Sequence, residues 1–153
     1  MLRPLQEQDR TRWDHATIRD AAALVVRASQ MLRPGPYQLQ AAIVACHAEA
    51  PSWEETDWLQ ILLLDDALIA RADTPVARLH RAIALRYVAG PEQALSEIQA
   101  LEPALPRHHL LHATRAALLR DLGRGDEARR ADREALALTS NPAERALLEQ
   151  RVA

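Results

Sequence analysis

The chain has no phenylalanine, no lysine and a single cysteine among its 153 residues. One cysteine excludes an intramolecular disulfide. Cys46 lies among alanines, and this setting predicts that it is a small, buried apolar residue. Every apolar run, including residues 61–64, is far shorter than the roughly 20 residues of a membrane span, so no membrane attachment is expected. The polar start has no signal-peptide pattern, which predicts a cytoplasmic protein.

All 19 basic residues are arginine, and the net charge is −2, which gives no strong attraction to nucleic acid. No interleaving of basic and aromatic residues suggests base stacking, so direct nucleic-acid binding is not expected. The charge is uneven, because residues 49–106 hold four arginines and ten acids. This acidic middle is interpreted either as ordinary solvated helix faces or as a patch for a basic partner.

Alanine, leucine and arginine, all strong helix formers, dominate what is present. Apolar residues recur at helical spacing between turns that carry proline or glycine, and no segment alternates as a strand does. The polar residues 1–12 are predicted to be an extended lead-in, with Asp14 as the cap of the first helix. The predicted helices span about 14–32, 36–50, 58–70, 75–89, 91–101, 108–122, 126–138 and 142–151.

The later helices repeat with a period of 34 residues. Residues 80–85, HRAIAL, correspond to residues 114–119, TRAALL, and Ala94 corresponds to Ala128. That period is typical of the tetratricopeptide helix pair. We therefore predict an all-α, tetratricopeptide-like right-handed superhelix of about seven or eight antiparallel helices, forming a single domain over residues 13–153.

Several segments together resemble one family. QDRTRWD (8–14), GPYQLQAAI (35–43), TDW (56–58), LHRAIAL (79–85) and LTSNPAER (138–145) are similar, in this order, to the C-terminal extension of bacterial extracytoplasmic-function RNA polymerase sigma factors. The resemblance covers about residues 6–151. It implies a non-catalytic regulatory domain that binds sigma-factor domains, RNA polymerase or a regulator. The DNA- and polymerase-binding domains of that family are absent from this chain.

Three residues of this chain differ from those that the family pattern leads us to expect. Asp65 and Asp132 stand where the resemblance leads us to expect tyrosines, and His80 stands where it leads us to expect an asparagine. If the family's recognition face uses those aromatic residues, it is weakened in this chain.

A partner-binding groove is the sharpest candidate site. Polar side chains beside small alanines could line the groove, and two tryptophans could border it. Alternatively, the tryptophans fill the core and Asp57 is a helix cap. Arg81 and Arg115 occupy equivalent repeat positions and could bind a partner carboxylate or form ion pairs within the fold. The candidate residues are Trp13, Tyr37, Gln38, Gln40, His47, Asp57, Trp58, Arg81 and Arg115.

Catalysis is not predicted. His108 and His112 are spaced as two metal ligands on a helix, but the HExxH pattern is incomplete. Cys46 and His47 are adjacent and point apart on a helix, and no glycine-rich phosphate loop is present. We therefore expect no cofactor and no metal. Two alternatives remain open, a stand-alone tetratricopeptide adaptor unrelated to transcription and a small histidine-dependent metalloenzyme.

Overall fold

A computed structural model describes residues 3–30 and 35–152, and within these ranges every regular element is helical. The α-helices are α1 (His15–Ser29), α2 (Pro36–Glu49), α3 (Trp58–Ile69), α4 (Pro75–Ala89), α5 (Pro91–Leu101), α6 (His109–Asp121), α7 (Gly125–Leu138) and α8 (Pro142–Val152). The predicted all-α class is thus confirmed. Among the described helices, none has the length and apolar character needed to cross a bilayer.

Local signals set the helix ends, which is why most predicted bounds agree closely with the structure. Asp14 caps α1 by accepting from the Ala16 and Thr17 amides at 3.1 and 3.0 Å, and Asp57 caps α3. Gly123 ends α6 with a φ of 71°, a value that favours glycine. The predicted continuation of the first helix to residue 32, and its stop at Pro34, lie outside the described residues.

The lead-in contains two short 3-10 helices, Leu5–Glu7 and Arg10–Arg12, so the prediction of an extended segment is wrong over those residues. The second turn forms because the Asp9 carboxylate accepts hydrogen bonds from the Thr11 amide at 3.1 Å and its hydroxyl at 2.6 Å. The bond from the Thr11 hydroxyl, and then the bond from its amide, also lower the pKa of Asp9.

The chain divides into two compact units, with the boundary inside α4. The N-terminal unit, Arg3–Ala77, packs α1 on α2 and α2 on α3. Its core includes Leu39, Leu68 and Ala77, with Ile43 against them. The single domain expected over residues 13–153 stays a prediction.

The C-terminal unit, residues 78–152, packs α5 on α6, α6 on α7 and α7 on α8. Its burial pattern follows the 34-residue period, because Ala82 and Ala116 are both fully buried, and so is Ala94, while Ala128 is 1% exposed. Small side chains at these positions let the paired helices approach closely. The repeat in the sequence therefore corresponds to a repeat in packing.

Candidate interaction site

A buried arginine anchors the lead-in onto the end of α2. The Arg10 side chain is 5% exposed, and its Nη1 donates to the backbone carbonyls of His47 at 2.9 Å and Ala50 at 2.7 Å. Those carbonyls lie at the C-terminal end of α2, where the helix dipole favours a cation. The guanidinium carbon also lies 5.1 Å from the centre of the Trp13 ring. The lead-in is thus held to the α2 terminus by charge-assisted hydrogen bonds and a cation–π contact.

Aromatic rings continue this contact towards α3. The His47 ring lies 5.3 Å from Trp58 in an edge-on arrangement and stacks 6.1 Å from Trp53, and the two tryptophan rings meet edge-on at 4.8 Å. We call Arg10, Trp13, His47, Trp53 and Trp58 the Arg10–aromatic cluster. It joins the lead-in, α2, the connection that follows it and α3.

Two polar atoms of this cluster are buried without a hydrogen-bond partner among the described residues, Nη2 of Arg10 and Nδ1 of His47. Burial lowers the pKa of His47, and the charge of Arg10 lowers it further. A neutral imidazole is therefore favoured between the guanidinium and the tryptophan rings.

The structure brings only part of the predicted groove together. Trp13, His47 and Trp58 belong to the Arg10–aromatic cluster, and Asp57 adjoins it as the cap of α3, accepting from the Gln60 amide at 2.9 Å. Trp13 and Trp58 are half-buried, so neither is a fully buried core residue.

The polar candidates on α2 lie at the opposite end of that helix. Tyr37 is 84% exposed, Gln40 is exposed and Gln38 is half-buried. Ten residues separate Tyr37 from His47, which is about 15 Å along an α-helix. These side chains therefore form an outward α2 surface distinct from the Arg10–aromatic cluster.

Arg81 and Arg115, in the C-terminal unit, form ion pairs within the fold. Nη1 of Arg81 lies 2.6 Å from Glu97, and Arg115 bridges Glu102 at 3.0 Å and Glu134 at 2.5 Å. Each arginine thus pairs with a carboxylate of the helix that follows it, and Arg115 also pairs with Glu102 at the end of the helix that precedes it. This favours the interpretation of internal ion pairs over binding of a partner carboxylate.

A cleft of about 250 Å³ lies beside Arg115 within the C-terminal unit. Its lining combines positive and negative side chains with two leucines. The lining residues are Leu95, Gln99, Glu102, Arg115, Leu119, Arg124, Glu127, Arg130 and Glu134. Arg124 pairs with Glu127 at 2.7 Å, so much of the charge in the cleft is satisfied internally.

The histidines near α6 are not assembled around one point. His108 and His109 stack at 5.5 Å, and Nε2 of His112 lies 3.0 Å from the Pro106 carbonyl. Nδ1 of His112 is 3.0 Å from the Glu134 carboxylate. Over residues 3–30 and 35–152, no group of three or more His, Cys, Asp or Glu side chains is arranged to hold a metal ion.

Cys46 is half-buried rather than fully buried. Burial raises the pKa of its thiol, and the charges of Asp57 and Glu49 raise it further. The thiolate, which is the nucleophilic form, is therefore disfavoured at this position.

The two family departures at aspartate lie in the interior. Asp65 is 1% exposed and Asp132 is fully buried, with the Asp132 carboxylate paired to Arg120. Neither side chain is exposed in this fold. The expectation that a recognition face is weakened in this chain stays a prediction.

Sequence reasoning did not single out Arg10 or Trp53. Arg10 lies within QDRTRWD, and nothing local marks a lead-in arginine as buried. Its partners lie 37 and 40 residues away, so the contact depends on tertiary packing. The one available signal was that all three tryptophans of the chain lie in its first 58 residues, together with the motif that contains this arginine.

Comparison with known proteins adds one relative. An uncharacterized protein of Rhizobium meliloti (strain 1021) is 43% identical over 144 residues, which cover 94% of this chain and 34% of the relative. The chain thus spans about a third of the length of the curated relative that it matches. No protein-family model matches the chain, and no solved structure matches it.

Proposed function

We propose that this chain is a non-catalytic, regulatory protein-interaction domain of the type found at the C-terminus of extracytoplasmic-function sigma factors. Its partner would be a sigma-factor domain, RNA polymerase or a regulator, bound in the cytoplasm. Such a domain acts by steric and electrostatic contact, since a partner docked on it changes the availability of the domains that bind polymerase or promoter DNA.

One observation carries this proposal. The three segments with the most specific resemblance, QDRTRWD, the α2 segment and TDW, converge on His47: Arg10 bonds to the His47 carbonyl, and Trp58 packs on the His47 ring. Segments far apart in the sequence thus contribute to one contact, as expected if they are parts of a single structural signature. The Rhizobium relative, about three times as long as the matched stretch, has the length expected if such a domain is joined to others.

The outward α2 surface is the candidate contact with the partner. Tyr37 and Gln40 are exposed and remote from the Arg10–aromatic cluster, so they have little part in holding the fold together. An exposed tyrosine with a polar rim is typical of residues that anchor protein interfaces.

The test is binding of the chain to purified region-two and region-four domains of a cognate sigma factor, measured by calorimetry. We expect Tyr37→Ala and Gln40→Ala to weaken binding while leaving thermal unfolding nearly unchanged. Arg12→Ala, a change of an exposed residue away from this surface, is the matched control. Absence of binding to either sigma domain would overturn the proposal.

A stand-alone tetratricopeptide adaptor is the second candidate. The charged cleft beside Arg115 favours it, because a cleft between successive repeat helices can accept a peptide side chain independently of any sigma domain. Binding of an unrelated protein in that cleft, lost in Arg130→Ala but retained in Tyr37→Ala, would support the adaptor over the sigma-factor proposal.

A further inference from the structure

The charged cleft beside Arg115 combines ionic side chains with a small apolar surface. It holds about 250 Å³ and is lined by residues of α5, α6 and α7 and of the connections that follow α5 and α6. Leu95 and Leu119, which are 5% and 4% exposed, supply the apolar part of the lining. The volume is just below the roughly 300–1,000 Å³ of pockets that take drug-sized molecules, so the cleft suits a smaller ligand.

One end of the cleft has an excess of negative charge. Arg115 contacts Glu102 through Nη1 at 3.0 Å and Glu134 through Nη2 at 2.5 Å. Both carboxylates therefore lie beside a single guanidinium, whose charge offsets only one of them. Their side chains are 44% and 49% exposed, so a ligand can reach both. Nδ1 of His112 also lies 3.0 Å from Glu134, and it adds positive charge only when the imidazole is protonated.

The other end has an excess of positive charge. Arg124 donates two hydrogen bonds to Glu127 at 2.8 and 2.7 Å, so the charges of these two residues cancel. Arg130 also lines the cleft and is exposed, and it forms no hydrogen bond or ion pair with any residue of 3–30 or 35–152. It lies at pairing distance in sequence from Glu127 and Glu134, but both carboxylates already contact other arginines. The N–H donors of Arg130 thus remain available to a ligand.

The two ends lie side by side in one cleft. The hydrogen bond from Arg124 lowers the pKa of Glu127, and the charges of Arg124, Arg130 and Arg115 lower it further. Arg115 and Arg130 therefore both act on the same carboxylate. Arg130 and Glu134 are about one helical turn apart on α7, which places their Cβ atoms about 5–6 Å from each other. The cleft is thus close to neutral overall, with its positive and negative charge separated over a short distance.

We propose that the charged cleft beside Arg115 binds a free aliphatic α-amino acid. The carboxylate of the ligand accepts hydrogen bonds from the Arg130 guanidinium, its ammonium group donates to Glu102 and Glu134, and its side chain contacts the two leucines. Guanidinium and carboxylate are planar groups that match each other, and hydrogen bonds between charged groups are the stronger kind. A zwitterion carries both charges close together, whereas an internal residue of a peptide supplies at most one. This inference goes beyond the proposed function, because it adds a small ligand to a domain that binds proteins.

The experiment measures binding of radiolabelled leucine to the whole chain by equilibrium dialysis at about pH 7.5, where a free imidazole is mostly neutral. Leucine is titrated to about 10 mM, because a ligand of about nine non-hydrogen atoms binds weakly. Two analogues each lack one charge, since N-acetyl-leucine has no ammonium group and leucinamide has no carboxylate. We expect unlabelled leucine to displace the label and each analogue to do so about tenfold less well, as loss of a charged hydrogen bond predicts. Glycine, which has no apolar side chain, should also bind more weakly than leucine.

Two charge variants locate the site, each with a matched control. Arg130→Gln should weaken leucine binding about tenfold, whereas Arg133→Gln, at an exposed arginine of α7 outside the cleft, should not. Glu102→Gln should weaken leucine binding, whereas Glu92→Gln, at an exposed glutamate of α5 outside the cleft, should have no effect. Circular dichroism checks that all four variants are folded. Arg130 makes no hydrogen bond or ion pair within the described part of the chain, so its replacement leaves the fold intact.

Three results would each overturn the inference. The first is no binding of leucine over the whole titration. The second is equal displacement of the label by N-acetyl-leucine, which would mean that the cleft takes a carboxylate and not a zwitterion. The third is a leucine affinity that Arg130→Gln leaves unchanged, which would place the binding elsewhere. Any of these results, obtained with intact binding of a sigma-factor domain, leaves the proposed function standing. Leucine binding in the cleft without any sigma-domain binding would support the inference and remove the proposed function.

Discussion

Replacing Arg10 with alanine should destabilise the N-terminal unit substantially. The substitution removes the hydrogen bonds from Nη1 to the His47 and Ala50 carbonyls, at 2.9 and 2.7 Å, and the contact with the Trp13 ring. It also leaves a space at a position that is 5% exposed in the native chain. The lead-in then has no charged anchor on the end of α2.

The magnitude follows from these contacts. A hydrogen bond from a charged group contributes about 1.5–3 kcal/mol, and a cation–π contact contributes about 0.5–1 kcal/mol or more. The net stabilisation by Arg10 is smaller than the sum of these contributions, because its Nη2 is buried without a partner among the described residues. We therefore expect a loss of about 3 kcal/mol in the free energy of unfolding, a large fraction of the stability of a small unit.

Tryptophan fluorescence is the appropriate assay, because Trp13, Trp53 and Trp58 all lie in the N-terminal unit. Urea unfolding followed at these residues reports on that unit selectively. Arg12→Ala is the matched control, since Arg12 lies in the same turn and is exposed. If Arg10→Ala changes the unfolding free energy by no more than this control, the anchoring role of Arg10 is refuted.

Three further predictions concern pH, a buried ion pair and a turn. Because the pKa of His47 is lowered in the folded chain, the unfolded chain binds the proton more readily. The free energy of unfolding should therefore be highest above about pH 7 and fall as the pH drops through about 6.5. His47→Gln should reduce this pH dependence in urea unfolding followed by tryptophan fluorescence. Arg120→Ala should lower the free energy of unfolding by about 3 kcal/mol, measured by circular dichroism, because it leaves the Asp132 carboxylate buried and unpaired. The double variant Arg120→Ala/Asp132→Leu should recover most of that stability, and equal losses in the two variants would contradict this reasoning. Gly123→Ala should lower the free energy of unfolding by about 1–2 kcal/mol, because a backbone φ of 71° is strained for alanine. Steric contact adds nothing, since no atom lies within 4 Å of the added Cβ, and an unchanged melting temperature would contradict the prediction.

The helices were predictable because residues at their own ends determine where they begin and stop. The predicted bounds of α4 and α5 agree with the structure at both ends, where Pro75 and Pro91 begin a helix and Gly90 separates the two. Proline at a first turn, glycine at positive φ and an aspartate cap act within a few residues. The lead-in differs because Asp9 forms a turn through its own side chain, a preference that the sequence shows less clearly.

The candidate site was less predictable for a physical reason. Arg81 and Arg115 could have faced a partner or a neighbouring helix, and only the packed positions of Glu97 and Glu134 decide for internal ion pairs. Likewise, the exposure of Tyr37 depends on which side of α2 the neighbouring helices cover. Periodicity predicts that a helix has two faces, but several faces of an alanine-rich helix are equally suited to packing.

The sequence by itself determined the all-α class, the order of the helices and the 34-residue repeat, because these depend on spacing and on local breakers. It also determined the acidic surplus of the middle of the chain. Only the tertiary structure decided that Arg10 is buried against carbonyls about 40 residues away, and that Leu59 and Leu63 of α3 remain exposed. Burial and charge pairing are properties of contacts between distant segments, and those contacts exist only once the chain has folded.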